Sequence, residues 1–413
     1  MKILIVNSFD FVGGAAKAAY RLHKSLQAFG VESQMLVQVK TTDDYSVISD
    51  TKPFKKIISK ISSFVDPLPL RRYKNRDTYF SCNRYSFLDT VSRINSLKPD
   101  LVHLHWINHG MLNISELSSI NAPLVWTLHD NWAFTGGCHI MWECTNYLEK
   151  CGHCPRLSSQ KEFDLSRKNW NIKRSAYSKI SNLCIVSPSR WLGDCAKKSS
   201  LLNSFNHAHL PNFLDTNLFK PIDKKTARNI LNLPLEPKIV LFGAMSFTKD
   251  MNKGFDLLSE AINKLKINNL EFVVFGGKEK PGIPSFKYPA HYLGRLYDDV
   301  TLQLVYSAAD VMVVPSRQEN LSYAIMESLS CGTPVVAFKV GGNPDLIDHL
   351  NNGYLADSFD TTDLTNGIEW VLTNDRHSEI SYNARQKIVT QFDSSILIPQ
   401  FVRLYEETLS NQY

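Results

Sequence analysis
The stretch "MKILIVNSFDFVGGAAKAAYRLHKSLQAFGVESQMLVQV" (1–39) decides the fold class. After Lys2, Ile3 to Val6 form a continuous apolar run, the pattern of a strand buried on both faces of a parallel sheet. The run is far too short for a signal peptide or a membrane span, so the expected compartment is the cytoplasm. "FDFVGGAAK" reads as a turn-rich loop. Ala19, Leu22 and Leu26 then recur at helical spacing, and Gly30 is a helix stop signal. "VESQMLVQV" is a second strand, which completes a βαβ unit and predicts a doubly wound α/β domain. Gly13 and Gly14 belong to no G-x-G-x-x-G motif. They make either a tight β-to-α turn or a loop small enough to approach a ligand closely.

Further strands are expected at "DLVHLHW" (100–106), "PLVWTLHD" (123–130) and "LCIVSPS" (183–189). A second alternation begins after residue 235. Its strands are "KIVLFGAM" (238–245), "LEFVVFGG" (270–277), "DVMVVPS" (310–316) and "PVVAF" (334–338). Helices at 254–265, 297–309 and 321–331 lie between them. The expected organisation is an N-terminal Rossmann-like domain over 1–210 and a second over 211–395. The tail 396–413, helical after Pro399, would pack back on the first. The chain has 413 residues, 43% of them hydrophobic and 21% charged, which suits well-formed cores. A net charge of +6 is too weak to imply nucleic acid but fits anionic ligands or an anionic membrane surface.

In "ENLSYAIME" (319–327) two carboxylates bracket an apolar segment. Eight positions correspond to about 80° beyond two helical turns, so two glutamates inside one helix would not share a face. With Glu319 in the loop before the helix and Asn320 as its cap, both could address one ligand, and the helix amides would favour an anion there. Solvated surface charges are the plain alternative. Lys253, before a Gly that opens a helix, is by itself ambiguous in the same way.

The stretch "PSRQENLSYAIMESLSCGTPVVAFKVGGNPDLI" (315–347) resembles the donor-binding signature of glycosyltransferase family 4, a retaining family of GT-B fold. "GGAAKAAYRL", "TLHD" (127–130), "SPS" (187–189), "PNFLDTNLFKP" and "KGFDLL" (253–258) extend the likeness along most of the chain. The stretch "WTLHDNWAFTGGCHIMWECTNYLEKCGHCPRL" (126–157) is similar to a branch of exopolysaccharide, colanic acid and O-antigen glycosyltransferases. The resemblance implies two Rossmann-like domains facing each other across a cleft. It implies transfer of a hexose from a nucleotide-sugar, UDP- or GDP-linked, to a lipid-linked or oligosaccharide acceptor, with retention by front-face attack. By the same resemblance Glu319 and His129 hold the donor sugar, Lys253 pairs with the diphosphate, and Glu327 reads the ribose. The backbone at Asn320, Leu321 and Ser322 faces the sugar diphosphate, with Gly13 and Gly14 beside it. The Asn-Leu-Ser run replaces the Gly or Phe-Gly usual in the family. The family's diphosphate-clamping Arg is absent, because Ala244 follows Gly243. Lys249, Arg317 and Arg295 are the candidates to replace it. No catalytic metal is expected, since no Asp-x-Asp motif is present. A sugar-nucleotide epimerase or disaccharide phosphorylase of the same fold, or a non-catalytic carbohydrate-binding protein, are the alternatives.

Three groups remain. His105, Trp106, Asn108 and Asp130 sit at predicted strand ends and are candidates for the acceptor side or for packing. Cys138, Cys144, Cys151 and Cys154 form C-x5-C-x6-C-x2-C within the loop 136–157, beside His139 and His153. A structural zinc, reversible disulfides and free thiols are all open to them. In 52–76, Phe54, Ile57, Ile58, Ile61 and Phe64 make a helical stripe, and eight cations face one acid, Asp66. The segment is either a core-packed helix or a basic amphipathic helix lying on the anionic inner face of the cytoplasmic membrane.

Overall fold
The structure, a computed structural model, describes residues 1–50, 52–243, 250–276, 287–296 and 298–410. The chain divides into two compact units. One comprises Met1–Pro211 and the C-terminal segment from Leu397; the other is Asn212–Ile396.

The first unit is built on a parallel sheet. Its strands are β1 (Lys2–Phe9), β2 (Glu32–Val39), β3 (Val47–Ile48), β4 (Leu101–Leu104), β5 (Leu124–Thr127), β6 (Leu183–Ser187) and β7 (Asn206–His209). They lie in the order β3-β2-β1-β4-β5-β6-β7. β1, β4, β5 and β6 are buried along nearly their whole length, which is why they read as continuous apolar runs. The second unit repeats the plan with β8 (Lys238–Gly243), β9 (Leu270–Phe275), β10 (Ala290–Gly294), β11 (Val311–Val314), β12 (Val335–Phe338) and β13 (Gly353–Ala356). Their order is β10-β9-β8-β11-β12-β13.

Both orders reverse direction once. The chain runs outward from β1 to β3 and returns to β4 on the other side of β1. It runs outward from β8 to β10 and returns to β11 beside β8. Each reversal leaves a crevice at the carboxyl ends of two neighbouring strands that no crossover helix covers, the place where open α/β sheets take ligands.

Two local readings are corrected. The helix after β11 spans Tyr323–Ser330 and its cap position is Ser322, not Asn320, because residues 320–321 bend within the loop and Ser322 itself is still extended. The C-terminal helix spans Ser394–Ser410, so it starts before Pro399 and carries that proline within it. Pro399 lies in the second turn, where one missing amide bond costs less than abandoning a buried face that includes Leu397, Ile398, Phe401 and Tyr405.

Candidate functional site
The reversal of the second sheet lies between β8 and β11, and Lys253 and Glu319 follow those two strands. Their loops are stitched together by backbone. The Arg317 amide donates to the Asn252 carbonyl at 2.8 Å, and the Asn252 side-chain amide donates to the Gln318 carbonyl at 2.8 Å. Gly254 has φ +63, and a Cβ there would stand 2.0 Å from the Pro315 carbonyl oxygen. On the other side Gly341 has φ +54 and so little room that a Cβ would sit 1.8 Å from the Glu319 carbonyl oxygen. The Gly342 amide donates to that same oxygen at 3.1 Å. Glu319 is therefore fixed from both sides, before its helix begins.

Lys253 Nζ lies 2.7 Å from Glu319 Oε1, with both side chains partly accessible. Burial opposes the charge on Lys253, but the carboxylates of Glu319 and Asp250 outweigh it and hold the ammonium above its ordinary pKa. The helix Tyr323–Ser330 has no side-chain cap at Ser322, so its first amides present partial positive charge close to this pair. A cation, a carboxylate and a helix N-terminus at one strand-end crevice can hold a charged group and the hydroxyls of a sugar attached to it.

The other predicted residues of this unit fall in different settings. Glu327 is buried within the helix and accepts a hydrogen bond from the Tyr306 hydroxyl at 2.9 Å. Tyr306 is a partner that nothing in the sequence pattern announced. The Leu321 side chain is in the core, while Asn320 and Ser322 are half-buried. Arg317 is committed elsewhere: it grips Asp256 with both terminal nitrogens, at 2.9 and 2.6 Å, and also reaches the Met251 carbonyl. Arg295 is exposed just after β10 and Gly294. Ala244 and Lys249 lie outside the described residues.

In the first unit the crevice lies between β1 and β4. Gly13, at φ +95, caps the helix Gly14–Ala28, and a Cβ on either Gly13 or Gly14 would meet nothing within 4 Å. The end of β1 is tied to the loop after β4 by Ser8, whose amide donates to the Trp106 carbonyl and whose hydroxyl donates to the Asn108 carbonyl. His129 and Asp130 follow β5 and are half-buried. His129 Nε2 and His105 Nδ1 share a hydrogen bond of 2.8 Å. Behind them His103 bonds to Thr127 and to the hydroxyl of Tyr405 from the C-terminal helix. Burial lowers the pKa of His129 to about 4 and that of His103 to about 3, and drives His105 well down, so this cluster is neutral near pH 7. Asp130 accepts from Trp106 Nε1 at 3.1 Å and pairs with His139 Nδ1 at 2.6 Å. Burial works against its charge, but His139 and the surrounding donors outweigh burial and lower its pKa. Trp106 remains half-buried, whereas His105 and Asn108 are buried.

The four cysteines line one cavity of about 10 Å³. All are free thiols, and burial pushes Cys151 up to about 12 and Cys154 up to about 11. The Gly136 amide donates to Cys151 Sγ at 3.1 Å. His139 and His153 turn away from the thiols, to Asp130 and to the Gln160 carbonyl. Among the described residues no three His, Cys, Asp or Glu side chains stand as a ready-made metal site. Sequence reasoning also missed Lys173, a buried cation whose ammonium donates to the carbonyls of Trp132 and Thr135. Burial lowers its pKa to about 7.

Residues 236–374 match the model of the family described as glycosyl transferases group 1. The chain is 25% identical over 360 residues to the colanic acid biosynthesis glycosyl transferase WcaC of Escherichia coli K12, spanning 82% of this chain and 83% of that protein. Two other curated relatives, 30% identical, are matched over only 30% and 46% of their own length. Among solved structures, sucrose-phosphate synthase from Thermosynechococcus elongatus superposes with a TM-score of 0.71 at 18% identity, each chain covered in full. Anabaena Alr3699/HepE in complex with UDP-glucose superposes at 0.63 with 18% identity, again over 100% of both chains. The chain thus has the two-domain α/β GT-B fold of these proteins.

Proposed function
We propose that this chain is a retaining hexosyltransferase that moves a sugar from a nucleotide-sugar donor to a lipid-linked or oligosaccharide acceptor during assembly of a bacterial surface polysaccharide. The observation that carries the reading is the Lys253–Glu319 pair, 2.7 Å apart at the strand-order reversal of the unit that contains the family match. In this reading Lys253 and the amides at Tyr323–Ser330 take the diphosphate. Their positive charge stabilises the leaving group as the bond from the sugar carbon to the phosphate oxygen breaks. Glu319 and neutral His129 hold the sugar, and Glu327 the ribose. The acceptor hydroxyl attacks from the face the diphosphate leaves, and the departing phosphate takes its proton. Lys253 and the helix amides supply the charge, so the reading asks for no divalent metal. Arg295 and Lys249 remain the candidates for a second cation, because Arg317 is held by Asp256. UDP is the favoured nucleotide, supported by the solved relative that carries UDP-glucose, with GDP next.

A thermal-shift screen against UDP-, GDP-, ADP- and dTDP-sugars tests this. A ligand at a hundred times its dissociation constant stabilises by about 2.7 kcal/mol, so one nucleotide class should raise the melting temperature by several degrees. No shift with any of the four would overturn the reading.

For the cysteine loop we retain a structural zinc as a proposal. It requires thiol rotamers to turn inward and the thiols to ionise on binding, which metal coordination drives. Protein purified without a nickel column should carry close to one equivalent of zinc. Less than about a tenth of an equivalent would discard the idea in favour of free thiols.

A further inference from the structure
The helix Pro53–Val65 is amphipathic, but it is turned the wrong way for a protein in water. Its one fully buried residue is Ser62, while Phe54, Ile57, Ile61 and Phe64 are 70, 55, 47 and 60% exposed. The inner face is polar and hydrogen-bonded. The Phe87 amide donates to Ser62 Oγ at 3.0 Å, and Ser63 Oγ donates to the His109 carbonyl at 3.0 Å. Gly110 brings the backbone so close that a Cβ there would stand 2.6 Å from the Ser62 carbonyl oxygen. The apolar stripe is therefore not a core face: its four residues span roughly 80° of the helix, centred about 120° from Ser62. Packing in the described residues gives no reason to keep two phenylalanines and two isoleucines in solvent, and contiguous patches of this kind mark interaction sites.

What borders the stripe identifies the partner. Lys56 and Lys60 lie along one edge of it and have no ion pair among the described residues. Both also line a cavity of about 250 Å³ behind the helix, together with Lys40, Lys55 and Arg93. Lys55 and Arg93 are balanced there by Asp50 and Asp89, so among the described residues Lys40, Lys56 and Lys60 carry the uncompensated charge, Lys40 being bound to the Asp44 carbonyl. Arg71 lies over the Phe64 ring at 5.4 Å, extending the basic rim beyond the helix. The one acid of the segment, Asp66, is buried and does not oppose these charges at the surface. No helix among the described residues is long and apolar enough to cross a membrane.

We propose that this helix docks on an anionic lipid surface, its apolar stripe in the acyl boundary and a headgroup phosphate at the cavity mouth between Lys56 and Lys60. A chain laid along the stripe has its headgroup beside those two lysines, the arrangement that a phosphate-linked lipid presents. The inference deepens the acceptor side of the proposed function, and it rests on that reading for the acceptor's being lipid-linked.

Vesicle co-sedimentation of the full chain tests it, with phosphatidylcholine alone and with added phosphatidylglycerol. Wild type should pellet with the anionic vesicles and not with the neutral ones. Phe54→Ser with Ile61→Ser should lower partitioning at least about tenfold, and Lys56→Gln with Lys60→Gln by roughly fivefold per lysine at low salt. All four positions are exposed, so melting temperatures should hold. Wild type left in the supernatant, or variants that pellet as wild type does, would overturn the proposal. Nucleotide-sugar binding is measured in parallel: no binding of UDP-, GDP-, ADP- or dTDP-sugars, with vesicle binding intact, rejects the transferase reading and not the docking surface.

Discussion
Glu319→Ala is expected to lower sugar transfer by at least about a hundredfold, with little change in melting temperature. The side chain sits in a loop held by its neighbours' backbone, so the fold does not depend on it. An ion pair with this much exposure contributes about 0–1 kcal/mol to stability. Its influence on Lys253 is larger. Of the two carboxylates that keep the ammonium charged against burial, Glu319 acts more strongly than Asp250, so its removal lets burial act and the pKa of Lys253 falls. The sign follows: the variant should lose activity at lower pH than wild type as the pH is raised, because neutral Lys253 cannot stabilise the leaving diphosphate. Glu319→Gln keeps the shape and removes the charge, and should show the same early alkaline fall. Turnover within about tenfold of wild type for Glu319→Ala, with the donor that the thermal screen identifies, would refute the assignment.

Where the sequence was readable, the reason is local. Ile3 to Val6 and Val311 to Val314 are strands buried between layers, and such strands announce themselves as unbroken apolar runs. β7, "NHAH", and β10, "AHYLG", are outer strands with no fully buried residue, so they carry neither an apolar run nor a clean alternation. In the candidate site, spacing left Glu319 and Lys253 ambiguous, and it was the resemblance that singled them out. The grip of Asp256 on Arg317 across 61 residues, and that of Tyr405 on His103 across 302, depend on tertiary contact that no local spacing encodes. Periodicity found the stripe on Pro53–Val65 but gave no direction to it. Whether a stripe faces core or solvent is decided by what lies opposite, here Ser62 against Gly110.

Gly341→Ala tests the geometry of the site without touching any group assigned to chemistry. Two costs separate at this position. The first is backbone strain, since alanine at φ +54 costs roughly 1–2 kcal/mol wherever it occurs. The second is collision: a methyl group 1.8 Å from the Glu319 carbonyl oxygen meets backbone, which cannot swing aside as a side-chain tip could. The loop must move, the bond from the Gly342 amide to Glu319 lengthens, and Glu319 shifts against Lys253. A displacement of about 1 Å in a positioning group costs on the order of a hundredfold in rate. Gly332→Ala is the control. It too requires a positive φ, +76, but its Cβ would meet only Pro221 Cγ at 3.4 Å and the Ser381 carbonyl oxygen at 3.6 Å, ordinary contacts at the opposite end of the helix Tyr323–Ser330 from Glu319. Both variants should melt earlier, and Gly341→Ala by more, because overpacking adds about 1–3 kcal/mol to its strain. Only Gly341→Ala should lose donor affinity and transfer. If its turnover matches that of Gly332→Ala, the 341–342 turn does not position Glu319, and the second clamp on that loop has no part in the reaction.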